Sequence, residues 1–221
     1  MLISKEKYLS SETLETDISL IYNELKGSND RNYRWNASYE RSAVIVTDLQ
    51  NYFLNPESHA FIPSASAVLP NIKKLISFFK EINRPVIFTK HTNNKENAAS
   101  MNYWWKDLIP ENSGDAELYA ELGIPGNIIL KKHQYDAFHQ TGLEDLLREN
   151  GVIYPVICGV MTNLCCETTT RSAFVRGFRP MLPLDATAAY NREFHIATFR
   201  NLGFGFSPLM NTEEVINILQ S

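Results

Sequence analysis

The sequence predicts an α/β fold in which a parallel sheet carries helices on both faces. From Arg41 onward, short β-branched runs alternate with helical segments about five times, as expected of βαβ units. The first run, Ala43–Thr47, lacks polar alternation, which is typical of a strand buried on both faces. The segment after it, residues 67–82, has apolar residues at the 3.6-residue spacing of a helix.

The other elements follow in order along the chain. Residues 1–40 are polar and mixed, and we interpret them as an N-terminal extension, with one helix at about 12–25, that packs on a main domain of residues 41–221. Strands are predicted at 43–47, 86–89, 128–130, 156–158 and 179–184, and helices at 67–82, 141–150, 163–176, 193–202 and 215–219. Glycines at 151 and 177 end two of these helices, and residues 91–126 form a long, irregular, aromatic segment.

Composition limits the classes of function. The chain has 221 residues, of which 44% are hydrophobic, and a net charge of −4, which gives no reason to expect nucleic acid or a membrane surface as partner. Its first residues lack the apolar core of a secretory signal, and no apolar run approaches the ~20 residues of a membrane span. The chain has three cysteines, two of them adjacent, and its histidines and cysteines lack metal-ligand spacing. This pattern favours reduced thiols, a cytoplasmic location and no zinc.

One cysteine stands where a nucleophile is expected. Cys165 follows an apolar run and a turn and opens a segment of helical character. Unpaired backbone N–H groups and the positive end of a helix dipole lower the pKa of a thiol placed there, and they supply donors for an oxyanion. Cysteines are more often small buried apolar residues, and this is our interpretation of Cys158 and Cys166.

Other reactive side chains follow the ends of the predicted strands, where parallel sheets bind their ligands. Asp48 follows the first strand, and Lys131 and Lys132 follow the third. A carboxylate can accept the thiol proton, a lysine can keep that carboxylate ionised, and the thiolate can attack a carbonyl carbon. The backbone N–H groups of Met161 and Cys165 are then in position to bind the tetrahedral oxyanion.

Three local patterns resemble those of the isochorismatase-like cysteine hydrolases. Val46–Phe53 resembles the first-strand motif of this family, Lys132–Phe138 its lysine motif and Gly159–Cys165 its nucleophile motif. The order and spacing agree over about residues 41–215. The resemblance implies a three-layer, Rossmann-like fold with a six-stranded parallel sheet, a homo-oligomer (dimer or tetramer), a catalytic triad and a cis peptide bond. The triad would be Asp48, Lys132 and Cys165, and the cis bond would join Val160 to Met161.

The family contains two kinds of hydrolase. Some members are amidases of small C–N substrates, such as nicotinamidases and N-carbamoylsarcosine or ureidoacrylate amidohydrolases, whereas isochorismatases cleave a vinyl ether with the aspartate and need no thiol. The stretch Gln50–Phe53 is close to the isochorismatase branch, yet that branch typically carries glycine where this chain has Cys165. We therefore expect hydrolysis of a small amide, ureido or carbamoyl bond through a thioester. The alternatives are a vinyl-ether hydrolase with Asp48 as general acid, and a catalytically silent binding module.

The sequence also leads to expectations about metal binding and about the residues that contact the substrate. Nicotinamidases carry a metal-binding Asp-x-His pattern after the second strand, and Thr89–Thr92 lacks it, which implies an enzyme without metal or cofactor and other than a nicotinamidase. The small-molecule substrate is expected to contact five side chains of this sequence: Gln50, Phe53, Trp104, Tyr135 and Thr162. Aromatic side chains are more often core or interface residues than ligand contacts, Trp105 is an alternative to Trp104, and Gln50 is equally suited to a structural role.

Overall fold

A computed structural model describes residues 4–26, 34–105, 107–122 and 128–221 of the chain. The described residues form a parallel sheet of five strands in the order β3-β2-β1-β4-β5. The strands are β1 (Ser42–Thr47), β2 (Val86–His91), β3 (Ile128–Lys132), β4 (Tyr154–Val160) and β5 (Thr187–Ala188). The predicted α/β class is confirmed.

Helices flank this sheet, and each predicted helix has a counterpart. Their bounds are α1 (Leu14–Lys26), α2 (Asn51–Leu54), α3 (Ala65–Glu81), α4 (Met101–Trp104), α5 (Leu143–Glu149), α6 (Glu167–Val175), α7 (Arg192–Gly205) and α8 (Thr212–Gln220). Helix α3 packs against β1, β2, β4 and β5 with the apolar side that its periodicity predicted. Among the described residues, no helix has the length and apolar character that crossing a bilayer requires.

Strand β1 lies at the centre of the sheet because its residues are apolar on both faces. All six of its residues are buried, and it pairs with β2 on one side and β4 on the other. The register aligns Val46 with Phe88 and Thr47 with Gly159. The residues that follow β1 therefore lie between the ends of β2 and β4, which sets the position of Asp48.

The sheet differs from the expectation at its β5 edge. The resemblance implied six strands, and the predicted strand at 179–184 is not one; the described residues form five strands, of which β5 lies further along the chain. Met181 still pairs with β4 through an isolated bridge to Val156. Pro180 and Pro183 lack backbone N–H donors, so a regular ladder cannot run through this segment.

The N-terminal segment lies against residues that follow β5. The Glu6 N–H donates to the Tyr190 carbonyl at 2.9 Å, and the Tyr8 hydroxyl accepts from the Ala189 N–H at 2.9 Å. Further along, α1 contacts α7. These contacts join the start of the chain to the side of the sheet that carries the candidate site.

Candidate active site

Asp48 is held at the end of β1 in a wholly buried position. Its backbone has a φ of 49°, in the left-handed region that non-glycine residues seldom adopt. The Thr89 hydroxyl donates to Asp48 Oδ1 at 2.6 Å and accepts from the Asp48 N–H at 3.2 Å. The other carboxylate oxygen, Oδ2, lies 2.7 Å from Lys132 Nζ. The turn after β1 thus directs the carboxylate toward the end of β3.

Lys132 is the second buried charge of the site. Its ammonium lies 2.7 Å from the Asp48 carboxylate, 3.4 Å from Cys165 Sγ and 2.9 Å from the Gln134 carbonyl. Burial lowers the pKa of Lys132, but its interactions with the Asp48 carboxylate and with the Cys165 sulfur outweigh burial, and the pKa is raised. Lys131 instead forms an exposed ion pair with Glu111, which leaves Lys132 as the lysine in contact with the carboxylate.

Cys165 lies in a single π-helical turn, Thr162–Cys166, between β4 and α6. The thiol is buried, and its sulfur lies within 4.8 Å of an Asp48 carboxylate oxygen. Burial raises its pKa well above the ordinary value, the Asp48 charge raises it further, and Lys132 only partly offsets both. The predicted lowering of this pKa is therefore wrong, because the thiol is enclosed by protein beside a carboxylate and precedes α6, which begins at Glu167.

The turn that carries Cys165 is tied closely to β1. The Thr47 hydroxyl donates to the Cys158 carbonyl at 2.9 Å and lies 3.0 Å from Cys166 Sγ. Gly159 has a φ of 112°, and a Cβ atom there would lie 2.2 Å from the Thr47 carbonyl oxygen. Only glycine fits so close to a neighbouring strand with this backbone conformation. The Val160–Met161 peptide bond that follows is cis.

A cavity of about 160 Å³ opens onto the thiol. Cavities of about this size lined by apolar groups hold a molecule such as benzene. Cys165, Met161, Phe53 and Tyr135 line it. The remaining lining residues are Tyr52, His59, Ala60, His91, Asn93, Met101, Trp105, Asp107, Ile109, Leu164 and Tyr190. The walls thus suit a compact, largely apolar substrate beside the sulfur.

Three of the predicted substrate contacts lie elsewhere. The Trp104 side chain is 78% exposed, whereas Trp105 lines the cavity and its indole N–H donates to the Tyr135 hydroxyl at 2.7 Å. The Gln50 amide is buried and bound to backbone: it accepts from the His91 N–H at 2.8 Å and donates to the His91 carbonyl at 2.9 Å. Thr162, the first residue of the π-helical turn, is fully buried, and its hydroxyl lies 3.3 Å from His195 Nδ1. Gln50 and Thr162 thus lie outside the cavity lining, where they hydrogen-bond to neighbouring protein groups.

His91 is a neighbour of the cluster that motif reasoning did not select. It lies at the end of β2, it is buried, and its Nδ1 is 3.3 Å from Lys132 Nζ. Burial, followed by the Lys132 charge, lowers the pKa of His91 to about 3, so the ring is neutral. Its position at the end of a strand could have selected His91 from the sequence, because the carboxyl ends of parallel strands face the ligand edge of the sheet.

A metal ion does not fit the cluster as it stands. Asp48, His91 and Cys165 each offer one ligand-type atom, all within 4.8 Å of one another. The Lys132 ammonium, however, lies within 3.4 Å of all three residues. The space that a divalent cation would need is thus already filled by a positive charge.

Comparisons with known proteins agree with this geometry. A family model described as the isochorismatase domain matches residues 42–214. Nicotinamidase 3 of Arabidopsis thaliana is 36% identical over 181 residues, which cover 79% of this chain and 86% of that protein. Enterobactin synthase component B of Escherichia coli is 28% identical over 185 residues, which cover 82% of this chain and 65% of that protein.

A solved structure shows the same fold. The crystal structure of a cysteine hydrolase from Pseudomonas syringae pv. phaseolicola has a TM-score of 0.76 and 25% identity to this chain, with coverage of 84% of this chain and 95% of that one. The similar proteins thus include one named as a nicotinamidase, one named as part of enterobactin synthesis and one named as a cysteine hydrolase.

Proposed function

The chain belongs to the isochorismatase family of hydrolases, and we propose that it hydrolyses a small amide, ureido or carbamoyl C–N bond through a thioester on Cys165. The observation that carries this proposal is the contact of one buried ammonium with both a carboxylate and a thiol at the wall of a cavity. Lys132 Nζ lies 2.7 Å from Asp48 and 3.4 Å from the sulfur.

The first half of the reaction forms the thioester. The Cys165 proton passes to Asp48 as the sulfur attacks the carbonyl carbon, and the backbone N–H groups of Met161 and Cys165 bind the resulting oxyanion. Asp48 then protonates the nitrogen of the C–N bond, and ammonia or an amine leaves. The raised pKa of the thiol fits this order, because the proton leaves the sulfur only as the new bond forms.

The second half releases the acid. Asp48, ionised again, takes a proton from a water molecule while the oxygen of that water attacks the thioester carbon. The C–S bond breaks, the proton returns from Asp48 to the sulfur, and the carboxylic acid leaves. Lys132 stays protonated throughout, because its raised pKa keeps the ammonium charged at neutral pH.

The lining of the cavity favours this reaction over vinyl-ether hydrolysis. Isochorismate carries two carboxylates, which a site recognises with arginine or lysine. None of the cavity-lining residues that the structure describes is an arginine or a lysine, and Asp107 adds a negative charge there. A dianion is therefore a poor match for these walls.

Ammonia release from a panel of small amides, carbamoyl and ureido compounds tests the proposal. We expect turnover by the wild type, none above background by Cys165→Ala, and most of the wild-type rate by Cys166→Ala, whose thiol faces Thr47 instead of the cavity. Intact mass spectrometry of quenched reactions should show an acyl adduct that Cys165→Ala lacks. Equal rates for wild type and Cys165→Ala would contradict the thiol mechanism, and turnover of isochorismate by Cys165→Ala would favour the vinyl-ether alternative.

A further inference from the structure

The N-terminal extension is fixed to the main domain on either side of Tyr8. On one side, the Leu9 side chain is wholly buried, and its backbone N–H donates to Ser64 Oγ at 3.1 Å. On the other, the Glu6 carboxylate accepts from the Arg192 N–H at 2.6 Å, at the start of α7. Tyr8 is thus held between two anchors, which gives its side chain a defined position.

The Tyr8 hydroxyl begins a chain of polar groups that ends at the turn carrying Cys165. It accepts from the Ala189 N–H at 2.9 Å and lies 3.0 Å from His195 Nδ1. The same ring nitrogen lies 3.3 Å from the Thr162 hydroxyl. His195 and Thr162 are fully buried, and burial lowers the pKa of His195 to about 3, so the ring is neutral. Neutral groups therefore link the extension to the π-helical turn.

Thr162 is a sensitive point at which to hold this turn. It follows Met161, whose N–H is a proposed oxyanion donor, and Cys165 lies three residues further along. The other end of the turn is held to β1, since the Cys166 sulfur lies 3.0 Å from the Thr47 hydroxyl. Because buried polar groups cost free energy unless they are bonded, a buried chain of this kind selects one arrangement of its members.

We propose that Tyr8 is a positioning residue of this enzyme: its hydroxyl, acting through His195 and Thr162, fixes the turn that places Cys165 and the oxyanion donors. None of the three is among the described residues that line the cavity, so the chain acts on the reacting groups without touching the substrate. The inference rests on the proposed thioester reaction for its kinetic consequence, but not for its effect on the thiol itself.

Tyr8→Phe removes the hydroxyl and keeps the ring. We expect kcat for an amide that the wild type hydrolyses to fall by about tenfold at unchanged KM, because a small displacement of the reacting groups slows the chemical step while the cavity walls stay the same. Tyr154→Phe is the matched control. Its hydroxyl also has two partners, the Asn36 carbonyl at 2.7 Å and the Arg179 guanidinium at 3.0 Å, but it lies at the opposite end of β4 from the turn. This control should keep kcat within about twofold.

Thr162→Val breaks the same chain from its other end and tests the route. If both hydroxyls act through one connection, the double variant with Tyr8→Phe should be no slower than the slower single variant. Losses in kcat that multiply overturn the route through His195. A loss of kcat no larger than that of Tyr154→Phe, or a raised KM at unchanged kcat, overturns the role of Tyr8.

Alkylation of Cys165 separates this inference from the proposed reaction. Labelling with iodoacetamide at about pH 9, followed by peptide mass spectrometry, reports on the thiol whether or not an amide is hydrolysed. We expect Tyr8→Phe to be labelled about threefold faster than the wild type, because a loosened turn exposes the sulfur more often, and Tyr154→Phe to match the wild type. If the wild type hydrolyses none of the amides, the proposed function fails, and equal labelling of wild type and Tyr8→Phe then overturns this inference as well.

Discussion

Gly159→Ala tests whether the close contact between β1 and β4 fixes the geometry of the site. A methyl group at this position would lie 2.2 Å from the Thr47 carbonyl oxygen, whereas ordinary contacts begin at 3.4 Å, so the two strands must separate by about 1.2 Å (3.4 − 2.2). Overpacking of this kind costs about 1–3 kcal/mol. The φ of 112° adds about 1–3 kcal/mol of backbone strain for alanine. We therefore expect a loss of about 2–6 kcal/mol in the free energy of unfolding.

Two other glycines serve as controls: one carries the backbone strain without the steric overlap, and the other carries neither. Gly151 has a φ of 64° but open space around the added methyl group, so Gly151→Ala should show the backbone strain without the overlap, about 1 kcal/mol. Gly142 has a φ of −86° and also has open space, so Gly142→Ala should be neutral or stabilising by up to about 1 kcal/mol. Urea unfolding followed by circular dichroism measures all three variants.

Activity provides the second measurement on Gly159→Ala. Asp48 follows Thr47 directly, and a displacement of about 1 Å in a reacting group lowers catalysis by about 10²-fold. At a temperature where the variant is still folded, we expect kcat/KM to fall by about that factor while Gly151→Ala keeps the wild-type value. The reasoning is refuted if Gly159→Ala unfolds at the same urea concentration as Gly151→Ala and retains full activity.

Three further predictions concern the cavity, the buried histidines and the thiol. Trp105→Ala should lower kcat/KM by about tenfold or more, whereas the neighbouring Trp104→Ala should stay within about twofold, because only Trp105 lines the cavity; equal effects in steady-state assays would contradict this. Burial lowers the pKa of both His91 and His195 to about 3, so below pH 6.5 the unfolded state binds protons that the folded state does not. The free energy of unfolding should therefore be highest above pH 6.5 and should fall as the pH falls toward 3. The loss should be about 1.4 kcal/mol per pH unit for each, and His195→Gln should remove about half of it; a urea midpoint constant from pH 7 to pH 4.5 would disprove it. Because the pKa of the Cys165 thiol is raised, iodoacetamide at pH 7 should alkylate it more slowly than free glutathione; mass spectrometry showing faster labelling would rule this out.

The positions of the chemical groups could be predicted because they depend on topology. Parallel strands place their carboxyl ends at one edge, so Asp48 after β1, Lys132 at the end of β3 and the turn after β4 were expected at the same edge of the sheet. The structure brings these two and Cys165 into one buried cluster. Their catalytic roles stay predictions. The pKa of the thiol could not be foreseen, because it depends on how completely the fold excludes water from the sulfur.

The walls of the cavity were less predictable because they come from segments without periodicity. Trp104 and Trp105 are neighbours in sequence, and only the single turn of α4 (Met101–Trp104) decides which of them faces inward. Tyr190 and His59 carry no motif, and the N-terminal segment helps to position both. Lys5 donates to the His59 carbonyl, and Glu6 donates to that of Tyr190. Contacts between such distant segments leave no local pattern in the sequence.

The protonation of the buried cluster explains why the nucleophile need not be ionised in advance. At rest the cluster holds one carboxylate, one ammonium and a protonated thiol, and its net charge is zero. Transfer of the thiol proton to Asp48 leaves a neutral acid, the same ammonium and a thiolate, and the net charge is again zero. Lys132 then pairs with the sulfur at 3.4 Å in place of the carboxylate at 2.7 Å. Because no net charge is created in this buried site, the lysine offsets a cost that an isolated buried thiolate would bear in full. A neutral residue at position 132 would remove this compensation from both states, which is why the buried lysine is as necessary to the proposed reaction as the thiol itself.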